Sequence, residues 1–128
     1  MMRRIPLVTV VDDDESIREA LPDLLRILGF AAEGFSSAEA FLAADRLQET
    51  SCLLLDVAMP GMSGPELQQV LASREHQIPI VFITAHGDRD TRARLLALGA
   101  VECLAKPFSE AALLDALNAA LRTKDEHP

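Results

Sequence analysis

The sequence predicts an α/β fold, a five-stranded parallel sheet with helices on both faces, in a chain of 128 residues. Three observations predict it. Short apolar runs rich in Val, Ile and Leu alternate with longer stretches of helical periodicity, and Gly, Pro, Ser and Asp mark the changes. Three of the short runs, Leu7 to Val11, Cys52 to Leu55 and Ile80 to Thr84, are apolar but for a single threonine at most, as strands must be when helices cover both sides of the sheet. Roughly half the residues are apolar, and a domain of this size buries about two-thirds of its unfolded surface. Right-handed crossovers leave few other arrangements for so many alternations in so short a chain.

The predicted strands are Leu7 to Val11, Ala31 to Phe35, Cys52 to Leu55, Ile80 to Thr84 and Glu102 to Ala105. In the first helix Ile17, Leu21, Leu24, Leu25 and Leu28 recur on one face. Asp14 and Glu15 stand at its start, where the positive end of the helix dipole favours carboxylates, and Gly29 is placed to end it. Phe41 and Leu42 mark the second helix, for which Ser36 and Glu39 read as a capping box. Leu67, Val70 and Leu71 mark the third, introduced by a second such box, Ser63 with Glu66. Leu95 and Leu98 mark the fourth, between a cap at Asp88 and a stop at Gly99; Leu114, Leu117 and Leu121 mark the fifth, capped by Ser109. The expectation is a single domain spanning 1–128, with a folded core over 5–122 and a polar tail or the start of a linker over 123–128.

The formal net charge of −8 repels phosphate backbones, and no Lys/Arg-rich face is evident, so direct nucleic-acid binding by this domain is not expected. No apolar run approaches the ~20 residues a membrane span needs. The opening Met-Met-Arg-Arg-Ile-Pro leads straight into the first strand, so the chain is read as soluble, unexported and cytoplasmic. Cys52 and Cys103 lack metal-ligand spacing and read as small buried hydrophobes. Met59 and Met62 read as gap-filling residues, Pro60-Gly61 and Ser63-Gly64 as loop-shaping pairs, and Arg89, Arg92 and Arg94 as a solvated helix face.

Ligands of such a sheet bind at the carboxyl ends of its strands. Here the first strand ends in Asp12-Asp13-Asp14, the third in Asp56, the fourth in Thr84, and the fifth in Lys106 followed by Pro107. If the central strands are neighbours, Asp12, Asp13 and Asp56 crowd together. Two unit charges about 4 Å apart repel by about 4 kcal/mol at an effective dielectric near 20, so a cation must sit among them. Lys106 supplies one positive charge, and a cluster of oxygen ligands suits a hard divalent ion, Mg²⁺ above all. With that charge neutralised, one carboxylate can attack phosphorus to form an aspartyl phosphate while Thr84 and Lys106 bond the phosphoryl oxygens. Taken singly, Thr84 is an ordinary β-branched strand residue and Lys106 an ordinary surface lysine; the set is what carries the reading.

Four segments carry a family resemblance: Val-Asp-Asp-Asp-Glu-Ser-Ile-Arg over 11–18, Leu-Asp-Val-Ala-Met-Pro-Gly-Met-Ser-Gly over 55–64, Ile-Thr-Ala-His-Gly-Asp over 83–88, and Ala-Lys-Pro-Phe over 105–108. In order and spacing they resemble the signatures of the response-regulator receiver (CheY-like) domain, over nearly the whole chain. Ser-Ala-Glu-Ala-Phe-Leu over 37–42 and Thr-Ala-His-Gly-Asp most resemble receivers of the FixJ type, which usually precede a DNA-binding domain.

The resemblance implies a doubly wound, flavodoxin-like sheet of strand order 2-1-3-4-5. It implies a two-component switch that catalyses its own phosphorylation and dephosphorylation, with Asp56 as phosphoacceptor. Asp13 would bind Mg²⁺ directly, Asp12 through water, and Ala58 through its main-chain carbonyl, for which side-chain identity is immaterial. Thr84 and Lys106 would sense the phosphoryl group, with a cis bond before Pro107 aiming the lysine into the site. His86 would influence how fast water reaches the acyl phosphate. Cys103 departs from the family, standing where a Phe or Tyr usually swings inward, and so weakens the usual Thr–aromatic coupling.

The implied partners are a sensor histidine kinase or histidine phosphotransfer protein upstream and an output protein or effector domain downstream, with a phosphorylation-dependent homodimer through the face of helix 4, strand 5 and helix 5. Three other readings compete with this one. A phosphorylation-independent interaction module would not need the Asp13, Asp56, Thr84 and Lys106 set, although Cys103 favours it mildly. A haloacid-dehalogenase phosphatase needs a second Asp two residues after the nucleophile, where Ala58 stands. A flavodoxin is disfavoured because the chain has no Trp or Tyr and no hydroxyl-rich loop after the first strand.

Overall fold

The computed structural model describes residues 5–85 and 89–125. Strands and helices alternate along the chain: β1 (Leu7–Val11), α1 (Glu15–Ile27), β2 (Ala31–Phe35), α2 (Ala38–Ala43), β3 (Thr50–Asp56), α3 (Gly64–Ser73), β4 (Ile80–Thr84), α4 (Arg89–Ala97), β5 (Glu102–Ala105) and α5 (Glu110–Asp125). The strands form one parallel sheet in the order β2-β1-β3-β4-β5, as expected.

Four strands have the bounds read from the sequence. The third is longer, running from Thr50 to Asp56 rather than from Cys52 to Leu55. The extra residues are held by main-chain pairing that an apolar run does not mark: Thr50 lies opposite Leu7, across a local register shift, and Asp56 opposite Ile83. Thr50 can be buried because its hydroxyl lies 2.8 Å from the buried Thr9 hydroxyl and donates to the Arg46 carbonyl, also at 2.8 Å.

Alternate residues of the central strands feed two cores. Val8, Val10, Cys52, Leu54, Val81 and Ile83 meet α1 and α5 on one face. Val11, Leu53, Leu55 and Phe82 meet residues of α2, α3 and α4, among them Phe41, Leu67 and Leu95, on the other. Each fully buried side chain of this size contributes about 1.5–3 kcal/mol.

The helix ends follow local chemistry. Asp14 caps α1, accepting from the Ser16 N–H, and Gly29 leaves the helix at φ +101°. Gly99 does the same after α4 at φ +105°. Ser63 and Glu66 form the expected reciprocal box at α3, and Ser109 Oγ accepts from the Ala112 N–H at the start of α5. The expected cap at Asp88 lies outside the described residues.

The expected Ser36–Glu39 box does not form. Ser37 is the cap of α2, accepting from the Ala40 N–H at 3.0 Å, which puts Ala40 rather than Glu39 at the third helical position. The phase is set by burial: Ala38 and Phe41 point into the core, and Phe41 packs edge-on against Phe35 at 5.7 Å between ring centroids. Glu39 is left outside, with a different partner described below. Among the described residues no helix is long and apolar enough to cross a membrane.

Candidate functional site

The central position of β1 and β3 in the sheet brings their carboxyl ends side by side. Asp12 directly follows β1 and Asp56 closes β3, so the chain delivers Asp12, Asp13 and Asp56 to one point. Each offers a carboxylate oxygen, and these oxygens lie within 4.8 Å of one another. Asp12 is fully buried, Asp56 is 6% exposed and Asp13 faces solvent.

Asp12 is held on several sides. Its main-chain N–H donates to the Phe35 carbonyl, its own carbonyl accepts from Arg18 Nη1 at 3.1 Å, and its Oδ1 accepts from the Asp14 N–H at 2.9 Å. Its Oδ2 lies 3.1 Å from Lys106 Nζ, an ion pair, yet accepts no well-directed hydrogen bond although it is buried. A buried carboxylate oxygen needs a nearby cation, and Lys106 supplies one here without completing the oxygen's hydrogen bonding.

Asp56 is perturbed accordingly. Burial, then the Asp12 charge and hydrogen bonding with Asp13, push its carboxyl from an ordinary 3.8 to about 7, and the Lys106 charge only partly opposes them. Crowded oxygens, an unsatisfied Oδ2 and a carboxyl that resists ionisation are what a hard, oxygen-seeking divalent cation would relieve, so the residues present fit such an ion.

Thr84 closes β4 and is buried beside this point, one strand across from Asp56. Lys106 follows β5; its N–H donates to the Thr84 carbonyl at 2.8 Å, and the bond to Pro107 is cis, as expected. Ala58 sits exposed in the segment between β3 and α3. That segment is anchored at its start by the Val57 N–H on the Ile83 carbonyl, and at its end by the Gly64 N–H on the Val57 carbonyl, both at 3.0 Å. Gly64 is there by necessity, because a Cβ would lie 2.3 Å from the Asp56 carbonyl oxygen. By sequence Gly64 is only a loop former; its close approach to β3 is a tertiary fact.

Cys103 does not join the carboxylate cluster. It lies opposite Phe82 on β5, 8% exposed in the core beneath α4, with its thiol pushed up mainly by burial. Neighbouring Glu102 pairs with Arg92 at 2.6 Å, so one of the three arginines read as a solvated face has a partner. His86 lies outside the described residues. Two residues near the site were not singled out from the sequence as parts of it, Arg18 on the Asp12 carbonyl and Glu39 on the segment after β3. The Arg18 contact had a faint signal, since Arg18 lies six residues after Asp12 on the opening turn of α1.

Comparison with known proteins accords with this geometry. Residues 8–118 match the family model described as the response regulator receiver domain. The response regulator protein TodT of Pseudomonas putida is 43% identical over 122 residues, covering 95% of this chain and 54% of its own length. The structure of the response regulator StyR superposes with a TM-score of 0.87 at 51% identity, covering 96% of this chain and 62% of that one. A crystal structure of FixJ-N gives 0.83 at 35%, covering 94% and 96%. The chain thus spans about half the length of TodT. With its strand order, its strand-end carboxylates and a family match over most of its length in agreement, the chain belongs to the response regulator receiver domain family.

Proposed function

We propose that this domain is a Mg²⁺-dependent switch of a two-component system, accepting a phosphoryl group on Asp56 in the cytoplasm. The observation that carries the reading is the convergence of the Asp12, Asp13 and Asp56 oxygens within 4.8 Å, with Lys106 at 3.1 Å from an otherwise unsatisfied Asp12 Oδ2. Asp13, Asp56, the Ala58 carbonyl and, through water, Asp12 would hold the metal. When bound, Mg²⁺ neutralises the carboxylates and the incoming phosphoryl oxygens.

The donor is the phosphohistidine of a sensor kinase or phosphotransfer protein. An Asp56 oxygen forms the new O–P bond as the N–P bond breaks, and the departing imidazole keeps the electron pair. Thr84 and Lys106 bond the transferred oxygens. Each charge-assisted bond contributes about 1.5–3 kcal/mol, so the two supply about 3–6 kcal/mol to one conformer. Moving a two-state equilibrium from 1:99 to 99:1 needs about 5.5 kcal/mol, so the two bonds suffice at the upper end. Hydrolysis of the mixed anhydride, at a rate influenced by His86, resets the switch; the domain acts on itself and is not an enzyme with an external substrate.

The output is an effector domain or separate protein, engaged through the α4-β5-α5 face, with phosphorylation promoting a homodimer there. With Cys103 in place of an aromatic, the signal to that face passes through packing beneath α4 rather than through a swinging ring. The chain acts as one receiver unit, whose last helix runs to Asp125, beyond the expected end of the core at residue 122.

The test is intact mass after incubation with acetyl phosphate, with and without Mg²⁺. A metal-dependent gain of about 80 Da, one phosphoryl group, is expected in the wild type and not in Asp56→Asn. If neither protein gains mass, a phosphorylation-independent interaction module replaces this reading.

A further inference from the structure

Three consecutive main-chain N–H groups end the segment that carries Ala58, and each has its own acceptor. Gly64 donates to the Val57 carbonyl and Ser63 to Glu66 Oε1, both partners lying within the segment or the helix it leads into. Met62 donates to Glu39 Oε2 at 3.1 Å, a partner 23 residues away on the first turn of α2. The same oxygen lies so close to Gly61 that a Cβ there would approach it to 2.6 Å, and Gly61 has φ +74°. Glu39 is therefore not the local capping partner its spacing with Ser36 suggests; with Ser37 as the cap of α2, its carboxylate is free to reach the neighbouring segment.

We propose that Glu39 is a positioning residue for the metal site: it latches the segment between β3 and α3 that carries Ala58, whose carbonyl would join the Asp12, Asp13 and Asp56 cluster in holding the ion. The inference rests on the Mg²⁺-site reading above. The physical ground is the exposure of this segment. Ala58, Pro60 and Gly61 face solvent while Met59 between them is buried in the core, and between the anchors at Val57 and at Ser63–Gly64 the Glu39 contact is, among the described residues, the main-chain hydrogen bond that ties the segment to another helix. A hydrogen bond from a main-chain N–H to a carboxylate is of the stronger, charge-assisted kind. Losing it lets the segment sample conformers in which the carbonyl points away, and apparent metal affinity falls in proportion to the fraction still competent.

The experiment measures Mg²⁺ binding to the unphosphorylated protein by calorimetry, since the chain has no Trp or Tyr to report it by intrinsic fluorescence. Amide NMR of Gly61 to Gly64 is followed alongside. Glu39→Ala is expected to weaken Mg²⁺ binding about 3- to 10-fold and to shift the Met62 amide. Glu39→Gln keeps an acceptor oxygen and is expected to recover most of the affinity. If Glu39→Gln binds Mg²⁺ as weakly as Glu39→Ala, the carboxylate acts through its charge and the latch is refuted. If the wild type binds Mg²⁺ and is phosphorylated while Glu39→Ala binds equally well, the latch alone is refuted. A wild type that neither binds Mg²⁺ nor accepts a phosphoryl group refutes the site reading and the latch with it.

Discussion

Replacing Asp56 by Asn should stabilise the metal-free protein, because Asp56 is the carboxyl that the fold most resists ionising. Its displacement from 3.8 to about 7 corresponds, at about 1.4 kcal/mol per pH unit, to about 4 kcal/mol of disfavoured charge when fully ionised. The cluster opens to solvent at Asp13, which screens part of that cost. The expected gain for Asp56→Asn is thus about 1–3 kcal/mol at about pH 8. The sign follows from the direction of the shift. A carboxyl whose folded value is raised stabilises the fold fully below its unfolded value, and that contribution is lost as pH rises through the folded value. The wild type should therefore lose ground to the variant between about pH 4 and about pH 7, the window set by the two values. Urea denaturation followed by circular dichroism, in the presence of a chelator, measures the gap at both ends of this window. Equal stability at pH 8, or a gap that does not close on acidification, would show that burial and the Asp12 charge do not act on Asp56 as described. Added Mg²⁺ should raise the midpoint of the wild type much more than that of the variant.

The same displaced carboxyl makes metal binding pH-dependent: since Asp56 must lose its proton to ligate, Mg²⁺ affinity should fall progressively as pH drops below about 7, and calorimetry at several pH values reads it. An affinity unchanged between pH 8 and pH 6 would remove Asp56 from the ligand set. Gly64→Ala should cost about 2–4 kcal/mol, because a Cβ 2.3 Å from the Asp56 carbonyl must push α3 off β3; a denaturation midpoint within error of the wild type would contradict the close approach.

Much of this protein was legible without coordinates. Short apolar-rich runs between turn residues placed the strands of a parallel sheet, four of them with the bounds observed, and burial on both faces of the central strands leaves little room there for polar alternation. Short-range cap chemistry was equally legible at Ser63 with Glu66 and at Ser109, where donor and acceptor lie within a single helical turn. The strand-end residues could be gathered into one site because a parallel sheet puts all its carboxyl ends at one edge.

What the sequence could not decide depended on distances between segments far apart in the chain. The bounds of β3 came from its neighbours' main-chain pairing and the Thr9–Thr50 contact, neither of which follows from its own apolar run. Gly64 looks like any loop glycine until α3 is seen against the Asp56 carbonyl. Glu39 fits a local capping box with Ser36 on spacing alone. Burial of Ala38 and Phe41 set the helix phase one residue later and turned that carboxylate toward Met62, since side-chain packing outweighs a single solvent-exposed hydrogen bond. Local chemistry is written in sequence spacing; which of two local solutions is adopted is decided by the core on which the segment must pack.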